Sequence, residues 1–203
     1  MLLVYFYKTI KKIWNKIFTP IEKVYVYILF KCNNISFKSF KTNGVPQLII
    51  AIGGTCTIGK NFIMNNGKKG NPIGGNQRCT IFVDKKAKIK IGDNVGISQT
   101  ALIAIENITI GNNVKIGGGS YLYTSDFHSL DPNIRNSQED FIKRKNAPIV
   151  LEDNVFIGAH SIILKGVHIG KNSIIGAGSV VTKSIPENQI WAGNPARFIK
   201  RIE

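Results

Sequence analysis

The stretch LEDNVFIGAHSIILKGVHIGKNSIIGAGSVVTKSIP, residues 151–186, places an aliphatic side chain at every sixth position: Leu151, Ile157, Ile163, Ile169, Ile175 and Val181. An amphipathic helix returns an apolar residue every three or four positions, and a lone strand every two. A period of six fits neither. It fits a parallel β-helix, in which each short strand points one residue inward before the chain turns a corner, so that successive coils stack like on like. Inward Ile and Val are β-branched and suit such strands, and the Gly or Asn that follows tolerates the bend.

Upstream the same rhythm runs through Ile52, Ile58 and Met64, then meets an insertion rich in Gly, Asn and Lys, NNGKKGNPIGGNQR. It returns at Ile91, Ile97 and Ile103, slips by one residue, and continues at Ile110, Ile116 and Leu122. It stops within YLYTSDFHSLDPNIRNS, residues 121–137, at the first histidine of the chain, His128. A polar loop over residues 129–147 separates this histidine from the next coil.

The first 45 residues read differently. Leu3, Phe6, Ile10, Ile13 and Ile17 recur at spacings of three and four, with Lys8, Lys11, Lys12 and Lys16 on other faces, which predicts an amphipathic helix. Thr19-Pro20 is expected to end it. A basic helix carrying Phe6, Tyr7 and Trp14 suits a membrane interface; the same stripe equally suits packing on the rest of the chain or on a sister subunit. The chain thus divides into a basic segment, 1–45, and a β-helix domain, 46–203, with a C-terminal tail over 186–203.

Composition narrows the partners. Lys and Arg number 27 against 12 Asp and Glu, a formal net charge of +15, and residues 1–41 hold eight lysines against one acid, Glu22. Such charge seeks an anionic partner. No nucleic-acid module accompanies it, so phospholipid or the phosphates of a cofactor fit better than nucleic acid. Cys32, Cys56 and Cys79 form no CxxC pair and are odd in number, which indicates neither a disulfide framework nor a zinc knuckle. No small-residue cleavage site follows an apolar core and no run approaches 18 apolar residues. The expectation is a cytoplasmic protein, peripheral on the inner face of the membrane if residues 1–30 touch it.

The segments IGNNVKIG, LEDNVFIGAHSIILKGVHIGKNSIIGAGSVVTKSIP and WAGNPARFIKRI resemble the hexapeptide-repeat acyltransferases, closest to the galactoside and maltose O-acetyltransferases and the O-acetyltransferases of bacterial surface polysaccharides. The resemblance covers about residues 50–202 and is most specific over 148–202. It implies a mainly β fold, a left-handed parallel β-helix, assembled as a homotrimer with active sites between subunits. It also implies acetyl-CoA as acyl donor and a carbohydrate hydroxyl as acceptor, such as that of a surface-polysaccharide precursor.

Residue by residue, the resemblance makes His128 the general base that removes the acceptor proton. Asp126, two residues earlier, shares a face with it if the strand stays extended, and there it would orient the imidazole. Ala159 matches the position whose backbone N–H stabilises the oxyanion and lies beside the cofactor. Asn65 matches an acceptor-binding asparagine, and Phe156 stands where the galactoside and maltose enzymes have Trp. Ala177, Gly178 and Thr182 match residues along which the pantetheine arm lies, and Lys183, Arg197 and Lys200 are cations placed to meet phosphates. His160 and His168 invite comparison with the three-histidine zinc site of the gamma-class carbonic anhydrases. That family's close second and third histidines are missing here, so no metal is expected. Two other readings stand: an N-acyltransferase acting on an amino sugar, and a non-enzymatic β-helix scaffold docked on membrane.

Overall fold

The computed structural model describes residues 1–71, 73 and 75–203, without the side chains of residues 14–17 and 69. The expected contributions of Trp14, Lys16 and Ile17 therefore lie outside the described residues.

The body of the chain is a parallel β-helix with three faces. The first face stacks Ile35–Phe37, Thr55–Ile58, Lys88–Ile91, Ile108–Ile110, Ile149–Leu151 and His168–Ile169. The second begins at Phe40–Asn43 and ends in an antiparallel hairpin, Gln189–Ala192 with Arg197–Arg201. The third runs from Gln47–Ile50 to Val180–Val181. Register puts like beside like. Ile58, Ile91, Ile110, Leu151 and Ile169 adjoin in turn on the first face, and Met64, Ile97, Ile116, Ile157 and Ile175 on the second. Leu48, Ile81, Leu102, Leu122, Ile163 and Val181 form the row on the third. Nearly all are buried, and each such side chain contributes about 1.5–3 kcal/mol of transfer free energy.

Two expected ladder positions fall outside this core. Ile52 is 96% exposed, because it sits in the turn closed by Gly54 N–H donating to the Ala51 carbonyl; Leu48 starts the third row instead. Ile103 points outward because Ala101–Ala104 is a full four-residue strand, whose alternation turns Leu102 and Ala104 inward.

The corner between the first and second faces has its own repeat. Asn61, Asn94, Asn113, Asn154, Asn172 and Asn188 all take φ between +56° and +63°, a left-handed conformation that Asn tolerates better than most residues. Each side-chain amide donates to the next one's carbonyl oxygen, at 2.9, 3.1, 3.1, 2.9 and 2.8 Å along the row.

The coils begin earlier, and the helix ends later, than the sequence suggests. The helix spans Leu2–Cys32 with Pro20 inside it, and the first coil opens at Ile35, well ahead of the expected division at residue 46. Proline in a helix interior costs about 3 kcal/mol. Burial of Val26 and Phe30, both 0% exposed, is of comparable size and holds the second half helical. Phe30 meets Phe37 and Phe40 at ring-centroid distances of 5.3 and 4.9 Å, so the helix end plugs the open first coil. Glu22 adds an acceptor for Gly44 N–H at 3.1 Å.

The corner row predicts a specific pair of stabilities. Replacing Asn154 by Gly removes only its exposed amide bonds and should cost about 1 kcal/mol. Asn154→Ala adds the penalty of a left-handed alanine, about 1–2 kcal/mol more. Urea unfolding of both variants reads the difference; equal losses would show that corner conformation is not what selects Asn.

Candidate active site

Two insertions interrupt the coils, and each lands at a different end of the third face. The first lies between the strands Phe62–Asn65 and Thr80–Val83, and its described residues, 66–71, 73 and 75–78, fold over the corner between the second and third faces. Asn66 is buried and its amide oxygen accepts from Cys79 N–H at 2.8 Å, while Gln77 donates to the Tyr121 hydroxyl at 2.7 Å. A Cβ on Gly118 would come within 2.6 Å of Asn71 Nδ2 and 2.7 Å of Ile73 Cδ1, so this loop needs glycine beneath it.

The second insertion carries His128. It leaves the coil after Tyr121–Tyr123 and returns at Ile149–Leu151, its neck tied by Asp126 N–H to the Lys145 carbonyl and Ala147 N–H to the Thr124 carbonyl. It is not structureless: short helices occupy Pro132–Arg135 and Asp140–Lys143. Asp131 caps the first by accepting from Asn133 N–H at 2.8 Å.

The expected pairing of Asp126 with His128 does not form. Phe127 between them adopts φ +63°, so the segment is not extended and the two side chains do not share a face. Asp126 pairs with Lys165 at 2.6 Å. The partner of His128 is Asp140, whose Oδ2 lies 2.6 Å from the imidazole Nδ1 and whose Oδ1 accepts from Ser129 N–H at 2.6 Å. The hydrogen bond from His128, then that from Ser129, holds the Asp140 carboxyl below the usual aspartate range. The Asp140 side chain is only 8% exposed, whereas His128 is 58% exposed. A carboxylate on Nδ1 fixes the tautomer that leaves Nε2 free as a base toward solvent. Phe141 sits tilted beside the imidazole with ring centroids 5.8 Å apart, Arg144 lies 5.5 Å over Phe141, and Arg144 reaches Asp84 at 3.7 Å. Asp84 directly follows the strand Thr80–Val83, so the dyad is braced against an earlier coil of the third face.

At the opposite corner, Gly118, Ala159 and Ala177 occupy equivalent places on three successive coils. Among the described residues, none of their N–H groups makes a hydrogen bond, although Gly158 N–H donates to the Ile175 carbonyl, His160 N–H to Gly118 and Gly178 N–H to Ala159. Gly118 is buried beneath the first loop, whereas Ala159 is half-buried and Ala177 exposed, so the unbonded donors that reach the surface at this corner are those of Ala159 and Ala177. Coils approach so closely here that a Cβ on Gly158 would lie 2.4 Å from Ala177 N. Ala159, Ala177 and Gly178 are thus brought together, with Gly178 exposed at φ +70°.

The other expected residues disperse around this frame. Thr182 and Lys183 follow the last strand of the third face, with Lys183 Nζ 5.7 Å over the Trp191 ring. Arg197 and Lys200 stand exposed on the closing hairpin. Phe156 is exposed on the second face, and Asn65 has its amide engaged by Asn43 and Ser98 at 2.8 and 3.0 Å. His160 takes the left-handed corner position at φ +58°. His168 pairs with Glu152 at 2.7 Å. Sequence reasoning missed Asp140, for no local spacing tells which of the loop acids, Asp131, Glu139 or Asp140, returns to the histidine.

Comparison with known proteins agrees with this architecture. Residues 148–183 match a family model described as the hexapeptide repeat of succinyl-transferase. An acetyltransferase-family protein of Saccharomyces cerevisiae is 35% identical over 161 residues, covering 79% of this chain and 72% of the relative. The galactoside O-acetyltransferase of Escherichia coli is 37% identical over 123 residues, 60% of this chain and 58% of the relative. An acetyltransferase-family protein of Schizosaccharomyces pombe is 50% identical over 96 residues, 47% of this chain, and the match spans only 44% of that relative's length. Among solved structures, a point mutant of the Bacillus cereus N-acyltransferase AntD, in complex with dTDP-4-amino-4,6-dideoxyglucose and coenzyme A, superposes with a TM-score of 0.67 at 25% identity, covering 87% of this chain and 89% of that one. The six-residue ladder, the three-faced coil and these likenesses converge: the chain belongs to the hexapeptide-repeat acetyltransferase family, built on a left-handed parallel β-helix.

Proposed function

We propose that the chain transfers an acetyl group from acetyl-CoA to a carbohydrate hydroxyl on a precursor of a surface polysaccharide. The observation that carries the reading is the His128–Asp140 dyad, an exposed imidazole with a buried carboxylate on its far nitrogen. In this reading His128 Nε2 takes the acceptor hydroxyl proton as the oxygen attacks the thioester carbonyl carbon. The C–S bond breaks, the sulfur takes up the proton, and an acetyl ester and CoA leave. The free N–H of Ala159 offers a donor to the carbonyl oxygen as negative charge develops there. Ala177 and Gly178 continue that corner as a surface on which a narrow pantetheine arm can lie, and Thr182, Lys183, Arg197 and Lys200 supply donors and cations toward phosphates. Asp140 is a positioning residue.

Within one chain His128 and Ala159 lie at opposite ends of the third face, with the strand Tyr121–Tyr123 between them, about 10 Å of backbone. A homotrimer that sets the His128 end of one subunit against the Ala159 corner of the next supplies both halves. The likeness to AntD supports a second reading, in which the acceptor is the amine of a nucleotide-linked amino sugar; the same base serves an amine. Peripheral membrane contact through residues 1–30 belongs to the first reading, since it would place the enzyme near membrane-borne precursors.

Mass spectrometry with acetyl-CoA and a panel of neutral, amino and nucleotide-linked sugars should show acetyl ester on a hydroxyl; amide products alone would select the second reading, and no product with any sugar would count against transfer. In the same assay His128→Ala should lower turnover about a hundred- to ten-thousand-fold with acetyl-CoA affinity intact. Asp140→Asn turns an N–H toward Nδ1 and favours the wrong tautomer, so kcat should fall by a similar factor while the KM for acetyl-CoA holds. The sign of the acid response follows from the lowered Asp140 value. The stabilisation it gives the loop is complete above the ordinary aspartate value of about 3.9 and is lost as pH falls through its folded value below that. Exchange protection at Ser129 N–H should track that loss in the native protein and be weak at every pH in Asp140→Ala. Light scattering should give three times the chain mass, and a stable active monomer would overturn the shared site.

A further inference from the structure

The apolar stripe of the N-terminal helix faces away from the chain's own body. Leu3, Phe6, Ile10, Ile13, Ile21, Val24 and Ile28 are 47–82% exposed. The residues that anchor the helix on the coils are Glu22, Val26 and Phe30. At 3.6 residues per turn, the centres of these two sets lie roughly half a turn apart. The helix is therefore held by its back, and the face that its sequence pattern would bury is presented outward.

Three features select the occupant of that face. The apolar sector is wide, because Tyr7 and Tyr25 on one flank extend it beyond the narrow seam of a coiled coil, while on the other flank Tyr27 is half-exposed and packs edge-on against Phe37. Four of the described cations, Lys8, Lys11, Lys12 and Lys23, lie off the stripe, a fifth, Lys31 in the last turn, is on the stripe's side over the Tyr27 and Phe37 rings, and the helix holds a single acid, Glu22, already engaged by Gly44 N–H. No described helix is long and apolar enough to cross a membrane. A helix with an apolar, aromatic-flanked face and a lysine-rich remainder matches one lying in the plane of an anionic bilayer.

We infer that residues 2–28 dock flat on the surface of an anionic phospholipid bilayer, stripe inward, with the β-helix carried on the side of Val26 and Phe30. This deepens the membrane contact in the functional reading above, and it stands or falls independently of acetyl transfer. The lysines add about fivefold each in partitioning onto a negatively charged surface, so the interaction should weaken steeply with salt.

Co-sedimentation of the full chain with sucrose-loaded vesicles decides it. Vesicles of phosphatidylcholine with one-quarter phosphatidylglycerol should pellet the protein at low salt, and phosphatidylcholine alone should pellet far less. The triple variant Phe6→Glu, Ile10→Glu, Ile13→Glu should lose about tenfold or more in binding. Lys8→Gln with Lys11→Gln and Lys12→Gln should lose about a hundredfold on anionic vesicles and little on neutral ones. Both sets lie beyond the part of the helix packed on the coils, so urea midpoints of the β-helix should not move. Wild-type protein that stays in the supernatant, or a glutamate variant that pellets like wild type, overturns the inference. So does a glutamate variant whose only change is a smaller assembly by light scattering, because the stripe would then be an interface between copies of this chain. CoA binding measured in parallel reports on the catalytic reading separately.

Discussion

A coil that must close in about eighteen residues needs a sharp bend at a fixed place, and the left-handed asparagine at the first corner supplies it. The φ values of Asn61, Asn94, Asn113, Asn154, Asn172 and Asn188 differ by only a few degrees. That sameness is what lets one coil lie on the next with identical register. If a corner opened, the inward side chains of every later coil would lose their partners above and below. The amide row reports and reinforces this constraint, since each Asn satisfies its neighbour's carbonyl only when the corners are stacked. The buried aliphatic rows supply most of the free energy; the corners decide which register it stabilises.

Regular stacking also explains how the chain can carry two long excursions without losing its core. Ile110 lies beside Leu151 as directly as Leu151 lies beside Ile169, although the first pair is separated by the whole His128 loop. The coils therefore act as a rigid rack, and the loops are free to hold chemistry that would not survive inside it. The two loops use different devices. The described residues of the first loop are fixed by the buried Asn66 and by the close contact of Asn71 and Ile73 over Gly118. Residues 129–147 are fixed by short helices and by charged groups, Asp140, Arg144 and Asp126, at their base.

How much of this is legible beforehand follows from range. The rows from Leu151 to Val181 read directly, because each position is set by its own six-residue unit. Ile52 and Ile103 misread, since a longer turn or a four-residue strand shifts inward to outward without changing local composition. The helix overruns Thr19-Pro20 because tertiary burial of Val26 and Phe30 offsets a local penalty. His128 is marked by the break in rhythm and by family resemblance. Asp140 is not, since twelve residues of loop must fold before it meets the imidazole.

The two aspartates near the histidine show why proximity in sequence is a poor guide to role. Asp126 is adjacent to the neck of the loop, where Lys145 and Asn146 return to the coil; its pairing with Lys165 ties the loop to the following coil, and one of its oxygens is buried without a partner among the described residues. Asp140 has both oxygens engaged, one by a backbone N–H that cannot titrate and one by the imidazole. A carboxylate anchored on one side by a fixed donor has a single direction left in which to aim, so it orients what it touches. A carboxylate held only by a flexible lysine does not. The left-handed turn at Phe127 separates these two functions, sending Asp126 toward the scaffold and His128 toward the loop that carries its partner.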